Sequence, residues 1–125
     1  MNSVIQNAKI IEISNINEFI IEDTDTNLQY YVLLPINIPD KTKNKTEANK
    51  YYYAKLMLKK FLKSCDYKCA IYFDENIPDI IVSQNITSKF EVRHSLTEWL
   101  TMERLACYDD TNIDDIEFNY NVSVK

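Results

Sequence analysis

Residues 51–63 read YYYAKLMLKKFLK, and their apolar side chains recur with the period of an α-helix. The spacing i, i+3, i+4, i+7, i+8 is occupied by Ala54, Met57, Leu58, Phe61 and Leu62. The lysines of the stretch fall on the opposite side. This pattern predicts an amphipathic helix whose apolar face packs against a core, and the rest of the fold is interpreted around it.

Strand-like segments precede the predicted helix. Residues 4–13, 18–22 and 28–34 are rich in β-branched and aromatic side chains, and short polar connections separate them. Residues 40–50 are polar and lysine-rich, so we expect a loop there. The chain lacks glycine, and turns that need a positive φ are therefore expected to use Asn or Asp. This part of the chain predicts a three-stranded meander that leads through a loop into the helix.

The strand pattern resumes after the helix. Residues 68–73 and 79–82 are again rich in β-branched and aromatic side chains. Ser95 and Glu98 have the spacing of a capping box, which predicts a second helix that runs to about Cys107. The whole pattern predicts an α+β fold with five strands and two or three helices.

Composition excludes several classes of function. Without glycine neither the G-x-G-x-x-G fingerprint nor a P-loop can form, which excludes the nucleotide-binding proteins that depend on them. The net charge of −5 disfavours general nucleic-acid binding, because neutralising phosphates takes clustered lysine and arginine. No apolar run has the length of a signal peptide or a membrane span, so we expect an intracellular protein, cytoplasmic or nuclear, with no membrane association. The cysteines Cys65, Cys69 and Cys107 are expected to stay reduced, and their spacing does not favour a metal site.

The C-terminal residues differ from the rest of the chain. Residues 109–125 are acidic, and their apolar positions alternate strictly with polar ones, which is typical of an extended strand. We therefore divide the chain into a domain at 1–108 and an acidic segment at 109–125. The segment is interpreted either as a final strand that covers a sheet edge or as a partner-binding tail. In the second interpretation the contacts to a partner are made by Ile116, Phe118, Tyr120 and Val122.

Four pieces of sequence carry a resemblance to a known family. AKIIEI at 8–13, YVLLPINIPD at 31–40, YFD at 72–74 and SLTEWLTMERLA at 95–106 resemble the staphylococcal nuclease family in their order and spacing. The resemblance covers roughly residues 8–108. It implies a nuclease-like fold, a five-stranded OB-type β-barrel with two or three helices.

The resemblance also implies where a nuclease site would lie. Active members of the family hold Ca²⁺ with two Asp, activate water with a Glu and neutralise the phosphate with two Arg. The residues at the corresponding positions do not fit these roles: the two Asp are replaced by Asn17 and Asn37, the Glu by Asp40, and the two Arg by Val32 and Gln84. We therefore expect no nuclease activity, no catalytic residues, no metal and no other cofactor.

Two functions are compatible with such a chain. The first is a protein-interaction or scaffold module in a larger complex, because nuclease-like folds that have lost their site, such as those of Tudor-SN proteins, serve in RNA silencing or processing assemblies. The alternative is a single-stranded RNA- or DNA-binding OB-fold, in which aromatic side chains stack on bases above lysines. The residues for that role are Tyr31, Tyr52, Lys41, Lys43 and Lys45. An enzyme with chemistry that the sequence does not reveal is a third possibility.

Overall fold

The structure is a computed structural model that describes residues 3–75, 77–87 and 89–108. Eight strands and two helices are found in these ranges. In chain order they are β1 (Ser3–Asn15), β2 (Glu18–Asp23), β3 (Gln29–Leu33), β4 (Ile36–Asn37), α1 (Lys45–Ser64), β5 (Lys68–Asp74), β6 (Ile77–Thr87), β7 (Phe90–Ser95), α2 (Leu96–Met102) and β8 (Cys107–Tyr108).

Six strands form one antiparallel sheet in the order β3-β2-β1-β5-β6-β7. The first strand lies between the second strand and the strand that follows α1, so the helix is a crossover connection from one side of the sheet to the other. The short strands β4 and β8 form a separate antiparallel pair. The predicted α+β class is confirmed. Within the described residues β3 pairs with β2 alone and β7 with β6 alone, so the sheet is open and closure into a barrel is not observed.

Register shifts bend the central strand β1. One lies between Ile5 and Ala8 in the pairing with β5, and another between Ile10 and Glu12 in the pairing with β2. Such bulges place an extra residue on one strand and increase its local twist. Ile11 is the extra residue of the second bulge, and as a consequence Ile11 and Glu12 are both exposed although they follow each other in the strand.

The hydrophobic core lies between one face of the sheet and the two helices. The apolar face predicted for α1 is confirmed, because Ala54, Leu58 and Leu62 are fully buried and Met57 and Phe61 pack against the same cluster. Burying one leucine, methionine or phenylalanine side chain stabilises a fold by about 1.5–3 kcal/mol. The largest fully buried side chains from the other elements are Phe19, Ile21, Leu34, Ile71, Ile80, Leu96 and Leu100.

Helix α1 begins earlier than its apolar pattern indicates. The loop predicted at 40–50 is wrong over residues 45–50, which belong to the helix. Asn44 is the N-cap residue, and its side-chain oxygen accepts a hydrogen bond from the backbone N–H of Glu47 at 2.8 Å. Glu47 adds a negative charge to the first turn, where the helix dipole favours it. Polar capping residues, which carry no apolar period, therefore set the start of α1.

Helix α2 begins as predicted and ends sooner. Ser95 Oγ accepts from the backbone N–H of Glu98 at 3.2 Å, which confirms the predicted N-cap. The helix stops at Met102 and not near Cys107, which lies in β8. Arg104 takes a φ of 58°, and the backbone N–H of Leu105 turns back to the carbonyl of Leu100 at 2.9 Å. This is a helix-ending turn made without glycine.

The turns only partly follow the expectation that Asn or Asp supplies each positive φ. Asn27 and Asp66 do so. Tyr67, Glu75 and Arg104 also have positive φ values, although their side chains disfavour the left-handed region. The hairpin of β6 and β7 was a further surprise, since a strand was predicted only at 79–82. Residues 83–85 and 87–89 are polar, which interrupts the apolar alternation that marks a strand.

Candidate partner-binding surfaces

The two asparagines at the predicted calcium positions join neighbouring segments of the fold. Asn17 lies in the turn between β1 and β2, and its Nδ2 donates to the carbonyl of Ile36 at 3.3 Å. The Nδ2 of Asn37 donates to the carbonyl of Tyr108 at 3.5 Å. Both side chains therefore connect to the β4–β8 pair. The Oδ1 atom of Asn17 is buried and has no hydrogen-bond partner among the described residues.

The other positions of the nuclease pattern serve packing and turns. Val32 is 2% exposed in the core, where it cannot reach a phosphate. Asp40 Oδ1 accepts from the backbone N–H of Thr42 at 2.9 Å and from its hydroxyl at 2.6 Å. These two hydrogen bonds hold the pKa of the Asp40 carboxyl below its usual value. The side chain of Asp40 thus closes a local turn just before α1.

Gln84 lies elsewhere in the molecule. Its Nε2 donates to Ser64 Oγ at 3.2 Å, at the C-terminal end of α1. Asp40 precedes the N-terminal end of the same helix, which spans about 30 Å over its 20 residues. The structure brings Asn17 and Asn37 to the same strand pair but leaves Gln84 apart. Across the described ranges no three His, Cys, Asp or Glu side chains are grouped so that they could hold a metal ion.

An apolar surface lies on β3, at the edge of the six-stranded sheet. Tyr31 is 61% exposed and Leu33 is 47% exposed, and Leu28 just before the strand is also exposed. We refer to Leu28, Tyr31 and Leu33 as the β3 edge surface. The interaction of the Tyr31 hydroxyl with the nearby Glu18 carboxylate raises the pKa of Tyr31, because it favours the protonated hydroxyl over a second negative charge. Tyr31 therefore stays neutral over the physiological range.

The basic residues of the chain are concentrated in and before α1. Residues 41–63 contain eight lysines and one glutamate, a net charge of +7, while the remaining residues hold six basic and eighteen acidic side chains, a net charge of −12. The overall value of −5 conceals this asymmetry. The exposed side of α1 has a helical stripe about 27 Å long, which we call the lysine stripe. Its residues are Lys45, Asn49, Tyr52, Leu56, Lys59 and Lys63.

Most of the residues predicted to bind nucleic acid lie near the N-terminal end of α1. Lys45 is its first residue, and Tyr52, 60% exposed, packs edge-on against the buried Tyr51 with ring centroids 5.3 Å apart. Lys41 Nζ lies 5.0 Å from the Tyr51 ring centroid, within the range of a cation–π contact. Lys43 lies in the exposed turn between them. Tyr31 belongs instead to the β3 edge surface.

The residues proposed for the C-terminal tail lie outside the described part of the chain. Ile116, Phe118, Tyr120 and Val122 belong to residues 109–125. Both expectations for this segment, a final strand or a partner-binding tail, therefore remain predictions, and so does the boundary at residue 108.

No family model, curated protein or solved structure matches this chain. The resemblance to the staphylococcal nuclease family accordingly stays a prediction that rests on the quoted sequence pieces. Of the helices in the described ranges, neither has both the length and the apolar composition needed to cross a bilayer.

Sequence reasoning placed lysines on the outer side of α1 and named Tyr31 as a binding residue, but it overlooked the charge asymmetry and the apolar sheet edge. The charge asymmetry had a detectable signal, because the local charge of residues 41–63 is opposite in sign to that of the whole chain. The position of Tyr31 and Leu33 at a sheet edge had none. A strand with alternating burial looks the same in sequence at the centre and at the edge of a sheet, so only the strand order shows which side is unpaired.

Proposed function

We propose that this chain is a protein-interaction module, built on a nuclease-like OB-type fold that has lost its catalytic residues and works as a scaffold in a larger complex. The observation that carries the proposal is the β3 edge surface, an apolar and aromatic strand edge that pairs on one side only within the described residues. The order of three strands, a helix, further strands and a capped helix supports the proposed fold relationship.

Sheet edges of this kind are normally protected. Lysines, prolines, inward charges or bulges keep an exposed edge from pairing with other chains. Strand β3 reads QYYVL, contains none of these residues and pairs with β2 without a register shift. An extended segment of a partner can add to such an edge, with main-chain hydrogen bonds for affinity and alternate side chains for specificity. Tyr31 suits this role because exposed tyrosines are enriched among the residues that dominate binding energy.

The test compares three forms of the tagged, full-length chain purified from its native cells, with and without nuclease treatment of the lysate. These are the wild type, the double variant Tyr31→Lys with Leu33→Lys, and Tyr52→Lys. We expect stoichiometric protein partners that survive nuclease treatment with the wild type and with Tyr52→Lys, and that are lost with the β3 variant. Tyr52→Lys is the matched control because Tyr52 is as exposed as Tyr31 but lies on α1. Partners that disappear with nuclease would refute the proposal.

A second candidate function is supported by the lysine stripe. Single-stranded RNA or DNA would place phosphates on the lysines and a base on Tyr52, whose ring is exposed. This candidate predicts that a fluorescent 12-nucleotide oligo(dT) binds the chain with an affinity that falls steeply between 50 and 200 mM salt, tested by fluorescence anisotropy. Tyr52→Ala is expected to weaken binding by about tenfold, in line with the 1–3 kcal/mol per stacked base. An oligo(dT) affinity that changes neither with salt concentration nor with Tyr52→Ala would argue against this candidate.

A further inference from the structure

A row of polar and cationic side chains crosses the outer face of the sheet, on the side away from the helices. Lys9 of β1 pairs directly with Lys68 of β5, and Ser83 of β6 pairs directly with Arg93 of β7. The pairing of Cys69 with Val82 places Lys68 beside Ser83. Directly paired residues share a face of the sheet. The row therefore runs Lys9, Lys68, Ser83, Arg93 across four strands, about 14 Å at the usual strand spacing.

The row lies in an open groove of about 480 Å³. Its floor is lined by Ala70 and Ile81, which are directly paired between β5 and β6. The Ala70 methyl group fills little space, so the longer side chains around it form the walls. Ser83 is the smallest member of the row and stands between Lys68 and Arg93. A small ligand in the groove can therefore contact the cations of Lys68 and Arg93 and the Ser83 hydroxyl between them.

The charges of the row are not balanced by ion pairs. Like charges directly opposite each other on a sheet are unfavourable, and Lys9 and Lys68 are such a pair. Among the described residues neither lysine, nor Arg93, has a carboxylate within 4 Å. Arg93 Nη2 donates to the hydroxyl of Tyr72 at 3.4 Å, which holds the guanidinium over the sheet.

Three carboxylates surround the row. Glu22 pairs directly with Lys9 across β1 and β2, and it offsets the charge at that end. Asp25 also lines the groove as a negative charge, and its Oδ2 atom accepts from Asn7 Nδ2 at 3.1 Å. Glu91 lines the opposite wall, on the same strand as Arg93. Lys68 and Arg93, which flank Ser83, are the two cations of the row that have no carboxylate directly opposite them on a neighbouring strand.

We propose that this row binds the phosphate group of a phosphate monoester. Lys68 and Arg93 donate to its oxygens from two sides, and the Ser83 hydroxyl donates from between them. Charge-assisted hydrogen bonds of this type are the strong ones, and a guanidinium can donate to two oxygens at once. A dianionic monoester also relieves the repulsion between Lys9 and Lys68. The site lies on different strands from the β3 edge surface, and the inference does not depend on the proposed function.

The test titrates the ¹⁵N-labelled full-length chain with AMP, and with adenosine as the unphosphorylated control. We expect AMP alone to shift the amide signals of Lys68, Ser83 and Arg93. Lys68→Gln and Arg93→Gln are each expected to weaken AMP binding by about tenfold, as loss of a hydrogen bond to a charged group does. Lys60→Gln makes the same charge change on α1 and should leave the affinity unchanged. Equal shifts with adenosine, or equal weakening by Lys60→Gln, would overturn the proposal.

Two further measurements complete the test. Lys68→Gln removes a like-charge contact from an exposed position, so its urea midpoint should equal or exceed that of the wild type. Loss of AMP binding in a variant of unchanged stability would then be due to the missing cation. Oligo(dT) without a 5′ phosphate presents diesters only. If it binds more tightly than AMP and depends on the same residues, the monoester assignment is wrong and the site takes a nucleic-acid backbone.

Discussion

The turn before α1 depends on the carboxylate of Asp40, which accepts two hydrogen bonds from Thr42. They favour the ionised form, so the pKa of Asp40 in the folded chain lies below the unfolded value of 3.8. The stabilisation that follows is present above about pH 3.8 and is lost as the pH falls through the lower, folded-state pKa. Acid therefore loosens this turn.

Thr42→Val removes the hydroxyl donor and keeps the shape of the side chain. We expect the pKa of Asp40 to rise part of the way toward 3.8, because the backbone N–H bond remains. The measurement is an NMR titration of the Asp40 carboxyl carbon between pH 2 and 6. The same pKa in both chains would show that the hydroxyl bond does not form in solution.

Cys69 illustrates burial at the residue scale. Its thiol faces the core from β5, and desolvation raises its pKa to about 12. Since the thiolate is the reactive form, we expect Cys69 to resist thiol reagents at pH 8 in the folded chain and to react promptly in guanidinium. Because the folded pKa is raised, the stability tied to the neutral thiol is complete below about pH 9 and is lost as the pH rises toward 12.

The reactivity of Cys69 is measured with Ellman's reagent. Cys65 and Cys107 are also buried, so the folded wild type should show little reaction with any of its three thiols. The variant Cys69→Ala should have one reactive thiol fewer in guanidinium. The number of thiols that react in the folded chain should be the same as in the wild type. Rapid reaction of Cys69 in the folded chain would mean that β5 opens readily.

At the scale of single elements, α1 depends on its N-cap. Asn44→Ala leaves the backbone N–H of Glu47 without its acceptor, which is expected to lower the free energy of unfolding by about 0.5–2 kcal/mol. Asn49→Ala is the matched control, because it makes the same substitution at an exposed position within the helix, where alanine is the better helix former. Urea denaturation measures the change in the free energy of unfolding for both variants, compared at the same dependence on urea concentration as the wild type. Equal losses from the two variants would indicate that Asn44 does not cap the helix.

At the scale of the whole molecule, the two helices share one core. The ring of Phe61 in α1 stacks on Trp99 in α2 with centroids 4.1 Å apart and planes 6° apart, and it contacts His94 of β7 edge-on at 5.3 Å. Buried residues of β2 and β3, at one end of the sheet, and of β6, near the other end, belong to the same hydrophobic cluster. We therefore expect residues 3–108 to unfold as one cooperative unit.

Trp99 is the only tryptophan of the chain, so its fluorescence reports on this contact alone. Its urea transition should coincide with that of the far-UV circular dichroism, as it does for a two-state domain. A fluorescence transition at lower urea would show that α2 detaches before the sheet unfolds.

The strand and helix patterns of the sequence predicted much of the fold and less of the candidate sites. Apolar periodicity located α1, the first three strands and β5, because each of these elements buries one of its faces. The start of α1, the distal half of β6 and strand β7 escaped this reasoning, since the capping residues of α1 and the polar residues 83–85 and 87–89 have no apolar period. The tyrosines and lysines near α1 were identified from residue type alone. Only the strand order showed that Tyr31 lies at the edge of the sheet, apart from Tyr52 and the lysines of α1.

The sequence by itself determined which segments bury an apolar face, because periodicity is a local property of neighbouring residues. It also contained the charge asymmetry of residues 41–63. Only the tertiary structure decided which residues of distant strands meet. Lys9 and Arg93 belong to one row because two hairpin pairings and the β1–β5 crossover bring their strands into register. Register depends on hydrogen bonds between segments far apart in the chain, and no local pattern encodes it.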